Sequence, residues 1–362
     1  MLQGQLYQRW YGRLRVQVGE ARVTQVRNVA WLIVGMFLSR SVHLEHIARK
    51  LPIRAKKLSV SRRLRRLLDN AAIRVRPWYE PTARWLLHNA GVNGEIRLVI
   101  DSTKVSANHR LLMVAVAYRR RALPLAWTWS RSQFAHSTAR KQAALLGYVQ
   151  SLLPPNKGVV LVGDGEFGTS RLLRQLQQWG WQYVLRQAGH TSFQVQARRW
   201  QRFQHVPLQP GLSLWLPQVC LNQGDPVRTN LLLHWQPGER QPWYLATSFA
   251  SGFSTLLAYR KRMWIEELFG DLKRHGFDLE ASRLRHVLRL SRLTLMVCWL
   301  YLWLVALGEH IWRYGLRDEV DRTDRRDLSI FRLGWDWLER RLALDDPLPP
   351  VRWPLFLKLS GR

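Results

Sequence analysis

The sequence predicts an α/β protein: a mixed sheet flanked by helices, with a β-rich insertion and a helical N-terminal region. Three observations predict it. Two short β-branched runs, Arg97–Asp101 (RLVID) and Gly158–Gly163 (GVVLVG), are each followed or closed by an aspartate, Asp101 and Asp164. Three strand-like runs in succession precede a helical stretch, an order that builds a sheet before covering it. Apolar residues at helical spacing then dominate both the first ninety residues and the region after Thr255.

Taken in order, Val29–Leu38 is an apolar run read as part of a buried core helix. Val42–Lys50 has helical periodicity and breaks at Leu51-Pro52; Ser59–Leu68 forms a second helix, with Ser59 or Ser61 as cap candidate. Two short helices about a turn, the second rich in arginine, have the outline of a helix-turn-helix. Arg97–Asp101, Leu111–Tyr118 and Ala122–Trp129 are strands, and Ser137–Leu153 is a helix ended by Pro154-Pro155. Gly158–Gly163 reads as a parallel strand buried on both faces, Arg171–Trp179 as a helix and Trp181–Arg186 as a strand. Residues 188–241 change texture, with Gly, Pro, Gln and Trp between short alternating runs, and are read as a β-rich insertion. Trp243–Ser248 returns to strand, Thr255 to about Tyr314 is read as helical, and 315–362 is a charged, then Pro-rich tail. The expected division is therefore 1–92 (helical), 93–187 with 242–314 (the core), 188–241 (the insertion) and 315–362 (a packing or dimerisation segment).

The 362 residues carry 56 Lys and Arg against 25 Asp and Glu, a formal charge of +31. Such an excess calls for a polyanionic partner, because neutralised phosphates release condensed counterions. At 47% hydrophobic residues, a disordered basic tail is excluded. The first hundred residues hold 19 Lys and Arg against 5 Asp and Glu, or +14, which leaves +17 for the other 262. This makes Arg62, Arg63, Arg65 and Arg66 the candidate contacts to nucleic acid. Two cysteines make neither a disulfide framework nor a zinc site, and a reducing, cytoplasmic setting is expected. No secretory leader is read at the N-terminus, and the longest apolar run, Leu293–Gly308, is read as a core helix too short to span a membrane.

Carboxylates at adjacent strand ends converge in an open α/β sheet. Two of them joined by a third can hold two Mg²⁺ ions roughly 3.5–4 Å apart for in-line attack at phosphorus. The third comes from the helical region after Thr255. At about 100° per residue, with Arg262 at 0°, Glu266 falls near 40°, Lys273 near 20° and Tyr259 near 60°, while Glu267 and Asp271 fall near 140° and 180°. One acid thus shares a stripe with a tyrosine, an arginine and a lysine, groups that bind phosphate oxygens. The same spacing also serves a plain i,i+4 ion pair between Arg262 and Glu266.

The spacing Tyr259-x2-Arg262-x3-Glu266-x6-Lys273 resembles, without a gap, the Y-R-E-K signature of the insertion-sequence-four family of bacterial DDE transposases. IDSTKV around Asp101 and VGDGEFG around Asp164, with Phe167 at the aromatic position, resemble that family's first two acidic motifs. The resemblance covers about residues 95–290 and the N-terminal helices more loosely. It implies an RNase H-like catalytic core and a cut-and-paste DNA transposase. It implies a metal-binding triad of Asp101, Asp164 and Glu266, served by Mg²⁺ (two ions) with Mn²⁺ able to substitute, and phosphate contacts from Tyr259, Arg262 and Lys273. It also implies double-stranded DNA, both transposon end and target, as partner, a homodimer in the DNA complex, and no membrane. Members of the family can form a hairpin on the element end, and a tryptophan of the β-insertion can stack on a flipped base. Trp200, Trp215, Trp235 and Trp243 are the candidates here.

Other residues read as background: His109 and His136 as packing histidines, Ser102, Thr103 and Lys104 as strand-end polar groups, and Glu166 as a loop residue near the site. The arginines at 283, 285, 289 and 292 are read as a solvated run that could track DNA. Two other functions remain open from sequence, a different RNase H-like DNA endonuclease and a catalytically silent DNA-binding protein.

Overall fold

The computed structural model describes residues 2–131, 137–196 and 198–356. The chain divides into two compact units: one of residues 1–89, 105–109 and 269–362, the other of residues 90–104 and 110–268. Residues 269–314, expected with the core, and the tail 315–362 both fall in the first of these.

Chain order begins with five helices, α1 (Leu2–Gln17), α2 (Val23–Ser39), α3 (Leu44–Lys50), α4 (Lys57–Asp69) and α5 (Val75–Ala90). Strands β1 (Glu95–Ser106), β2 (His109–Tyr118) and β3 (Arg121–Arg131) follow, then α6 (Ala139–Gln150), β4 (Gly158–Gly163), α7 (Ser170–Gln178) and β5 (Gln182–Arg186). Next come β6 (Ser192–Gln194), β7 (Gln201–Arg202), β8 (Ser213–Leu221), β9 (Val227–His234) and β10 (Trp243–Thr247). The chain closes with α8 (Gly252–Tyr259), α9 (Met263–Leu272), α10 (Val287–Arg313) and α11 (Ile330–Ala343).

The second unit is built on a mixed sheet of ten strands in the order β3-β2-β1-β4-β5-β10-β9-β8-β6-β7. Its first half has the RNase H-like arrangement, with β4 parallel to β1 and β5 parallel to β4. β4 sits at the centre because Val159, Val160, Leu161 and Val162 are apolar on both faces and all are buried. β2 and β3 are joined through Arg119 and Arg120, both with positive φ (44° and 61°). Such consecutive left-handed residues match the twist of a tight hairpin, although glycine or asparagine usually supplies them. Strand-to-helix turns are capped by Thr138, whose hydroxyl accepts from Lys141 N at 3.4 Å, and by Thr169, which accepts from Leu172 N at 3.4 Å. The strands of 188–241 join the same sheet: β9 pairs antiparallel with β10, and β10 with β5. A bulge between Leu216 and Val219, with Gln218 in the left-handed region (φ 52°), bends β8.

The first unit is helical. The apolar stretch of α10 forms its axis; the helix runs 27 residues, longer than the Leu293–Gly308 run suggests. By length and composition it could cross a membrane, but 89% of its most apolar stretch is buried within the protein, as a core helix requires. α11 lies across it at very close range. A Cβ added to Gly308 would stand 1.7 Å from Ile330 O, and one added to Gly334 would stand 1.9 Å from Leu304 O. Only glycine permits that crossing. No sequence reading placed a helix in the tail, although Ser329 caps α11 by accepting from Arg332 N at 3.2 Å.

Two further differences from expectation follow from local chemistry. Ser59 and Ser61 lie inside α4, whose start is Lys57 and whose flanking Lys56 makes no side-chain cap. The region after Thr255 is not one helix. The chain tightens into a 3₁₀ turn at Arg260–Arg262, and residues 273–286 interrupt it again before α10.

Candidate active site

The site is assembled by the parallel register. The β1–β4 ladder ends at Ile100 opposite Gly163, so the next residue on each strand, Asp101 and Asp164, leaves the ladder side by side. Asp101 is only 7% exposed. Burial first, and then the charge of Asp164, push its pKa up to about 7, against the Ser102 backbone N–H, which donates to Oδ1 at 2.6 Å, and the attraction of Arg262. Asp164 caps a short turn, its Oδ1 accepting from Glu166 N at 2.9 Å. Phe167, fully buried, anchors that turn beneath it.

Glu266 and Arg262 arrive from the opposite direction. Tyr259 ends α8 and packs with Val160, Val162, Val184, Leu232, Leu245 and Ala258 over the central strands. The 3₁₀ turn that follows carries Arg262 toward Asp101, with Nη1 3.7 Å from Asp101 Oδ2 and 2.6 Å from Glu266 Oε1. Glu266 lies in the first turn of α9, where the helix dipole favours a carboxylate. The guanidinium carbon of Arg262 is 5.9 Å from the Tyr259 ring centroid. Burial opposes the Arg262 charge, but Tyr259, Glu266 and Asp101 outweigh it and hold the pKa above the ordinary guanidinium value. Burial raises the Tyr259 pKa. Arg262 Nε is buried and finds no hydrogen-bond partner among the described residues, and the buried Tyr259 hydroxyl lies beside the Arg186 guanidinium. An orphaned buried donor of this kind suits an anionic ligand.

Of the expected phosphate-binding stripe, Tyr259, Arg262 and Glu266 come together. Lys273 lies beyond α9, in the other unit, and pairs with Glu280 at 3.5 Å. Tyr259, Arg262 and Glu266 stay together across the turn at 260–262, but α9 ends at Leu272, one residue short of Lys273.

A cavity of about 900 Å³ opens beside Asp164 and Glu266, lined also by Arg186, Arg240, Trp235 and Tyr244. Among the four candidate tryptophans only Trp235 lines it. Trp215 and Trp243 pack against the apolar cluster over β4, Trp243 edge-on to Tyr259 at 5.2 Å. Arg186 and Arg240 were not read from sequence; Arg186 could have been, since it ends the strand next to that of Asp164. Glu166 is more than a loop residue. Ser102 Oγ donates to its Oε2 at 2.5 Å and the Ser137 backbone N–H to its Oε1 at 2.5 Å, while Arg110 donates to Ser102 Oγ at 2.9 Å. It therefore ties the two aspartate-bearing segments and the α6 entry together.

In the helical unit, Arg62, Arg65 and Arg66 are exposed on the face of α4 opposite its buried Val60, Leu64 and Leu67, whereas Arg63 is half-buried. Arg65 shares a cleft of about 360 Å³ with Arg283, Arg285 and Arg289. Arg292 does not belong to a solvated run: it is buried and donates to Leu68 O at 2.8 Å and Ile73 O at 3.0 Å. His109 is a packing residue, bonded to Ser106 Oγ at 2.9 Å and Arg285 O at 3.0 Å. His136 lies outside the described residues.

Among the described residues no three His, Cys, Asp or Glu side chains gather closely enough to hold a metal ion. The donor chemistry nonetheless fits a hard divalent cation: buried Asp101 and half-buried Asp164 repel each other where the β1–β4 ladder ends, and Glu266 pairs with the Arg262 that also reaches Asp101.

Asp101 was expected to close its strand, but β1 runs on to Ser106; an RNase H-like sheet with Asp101 within β1 beside Asp164 just past β4 defines the class. A sequence profile for the family described as the transposase DDE domain matches residues 93–303, more than half of the chain, and the chain belongs to that family. Among solved structures it is similar to a cryo-EM structure of the piggyBac transposase synaptic complex with hairpin DNA. The identity is 10%, the TM-score 0.41, and 95% of this chain and 80% of that one are covered. No curated protein matches.

Proposed function

We propose that the chain is a cut-and-paste DNA transposase of the insertion-sequence-four family, of bacterial origin, acting at the ends of its own element. The observation that carries this reading is the pair Asp101–Asp164, side by side where the parallel β1–β4 ladder ends, faced by Arg262 and Glu266. The buried, unpartnered Arg262 Nε beside that pair offers a donor to a DNA phosphate.

Asp101, Asp164 and Glu266 would hold two Mg²⁺ ions, with Mn²⁺ substituting. When bound, these ions supply the charge that activates the attacking oxygen and stabilises the leaving one. Tyr259 donates its hydroxyl, and Arg262 its guanidinium, to phosphate oxygens of the element end. Water oxygen attacks phosphorus, the bond to the 3′ oxygen breaks, and a 3′-OH is left. That oxygen then attacks a phosphorus of the target strand and displaces the target's own 3′ oxygen. Trp235, beside Arg186 and Arg240 in the cavity, is placed to stack on a base drawn out of the duplex. Arg62, Arg63, Arg65 and Arg66, with Arg283, Arg285 and Arg289, hold flanking phosphates. Two copies of the chain pair in the DNA complex, in the cytoplasm, at the nucleoid.

The test is cleavage of supercoiled donor DNA carrying the element's ends, in Mg²⁺, comparing the wild type with Glu266→Gln. Specific end cleavage lost in the variant, with end binding retained, is expected. Equal cleavage, or end binding without cleavage by either protein, refutes the reading.

A further inference from the structure

The Arg262 guanidinium occupies an unusual position for a phosphate ligand. Its Nη1 lies 2.6 Å from Glu266 Oε1 and 3.7 Å from Asp101 Oδ2, so one cation spans two of the three carboxylates. The side chain is 14% exposed and is held from behind by the Tyr259 ring, and its Nη2 donates to Met263 Sδ at 3.0 Å. Asp101 is buried while Glu266 is 44% exposed, and a carboxylate taken out of water needs a compensating positive charge nearby. Here that charge is part of the chain.

We propose that Arg262 is a built-in stand-in for the divalent cation: it neutralises Asp101 and Glu266 while no DNA is bound, and it competes with the metal for Glu266. This rests on the reading of Asp101, Asp164 and Glu266 as metal-holding residues. The unpartnered Arg262 Nε is where a DNA phosphate engages first, and a phosphate that turns the guanidinium toward itself takes Nη1 off Glu266. A DNA phosphate that draws Arg262 away therefore frees Glu266, and the duplex and the metal favour each other's binding. The coupling is reciprocal by thermodynamic necessity. Its consequence is a site that gathers its cations only on DNA.

The experiment is Mn²⁺ titration of the full chain, read by loss of the free-ion electron paramagnetic resonance signal, with and without a short blunt DNA duplex. Wild type, Arg262→Gln, Arg262→Lys and Asp101→Asn are compared, each checked for a cooperative melt. Without DNA, Arg262→Gln is expected to bind Mn²⁺ on the order of tenfold more tightly than wild type, and the duplex to tighten wild type but not this variant. Arg262→Lys, whose single ammonium spans the two carboxylates poorly, is expected to fall between them and serves if the glutamine variant does not fold. Unchanged or weaker Mn²⁺ binding by the Arg262 variants, with binding still impaired by Asp101→Asn, overturns the stand-in role and leaves the metal site standing. Mn²⁺ binding insensitive to Asp101→Asn overturns both.

Discussion

Asp101 sets the energetic character of the site. A carboxyl with a folded pKa of about 7 and an ordinary value of 3.8 holds its proton more tightly in the folded state than in the unfolded one. Stability is therefore lost as pH rises from about 4 to about 7, then levels off. The roughly three-unit difference corresponds to a cost on the order of 4 kcal/mol at most. In chelator-containing buffer, Asp101→Asn is expected to raise the urea midpoint above that of wild type at pH 8 and to leave little difference at pH 4. Glu166 offers a second check. Glu166→Gln keeps shape but loses the charge that accepts from Ser102 and Ser137, so cleavage is expected to fall at least about tenfold with end binding unchanged, measured on the same donor DNA. The pair Arg262–Glu266 was legible in sequence because i,i+4 spacing survives once α9 begins. Glu166 was not, because its partners Ser102 and Ser137 are brought to it only by tertiary structure.

Among elements, the α10–α11 crossing is the tightest packing in the helical unit. Gly334→Ala has no room for its methyl, which would meet Leu304 O at 1.9 Å. The loss is expected to be about 1–3 kcal/mol or more, read as a fall of several degrees in Tm. Arg292→Met removes both donors to the carbonyls of Leu68 and Ile73 at the end of α4. It is expected to cost about 1.5–3 kcal/mol in denaturant unfolding. The strands carrying Asp101 and Asp164 were legible from sequence because a central parallel strand is apolar on both faces; the first polar residue marks the end of β4, but β1 runs on past Asp101 to Ser106, since its outer half pairs away from β4. The break at Arg260–Arg262 was not, since no proline or glycine marks it and the packing of Tyr259 decides it. The strands of 188–241 were recognisable as β, but nothing local tells an insertion that it will extend the central sheet.

At the scale of the whole molecule, a charge of +31 makes DNA affinity steeply salt-dependent. End binding measured by fluorescence anisotropy is expected to weaken by about 10³-fold or more between 50 and 200 mM salt. A slope near zero would mean that few of the arginines meet phosphate. The division of the chain has a different consequence, for the order in which it is made. Residues 90–268 supply nearly all of one unit, whereas the helices of residues 1–89 share a core with residues 269–362. Once residue 268 has left the ribosome, a nearly complete sheet is exposed together with a set of helices still lacking α10. The earliest-made helices then wait until residues 287–313 have also emerged, on the order of seconds at ordinary elongation rates. Nascent chains arrested once residue 268 has cleared the exit tunnel are expected to resist protease across the sheet and to be cut within the first ninety residues. The part of the chain synthesised first would then be the last to become native.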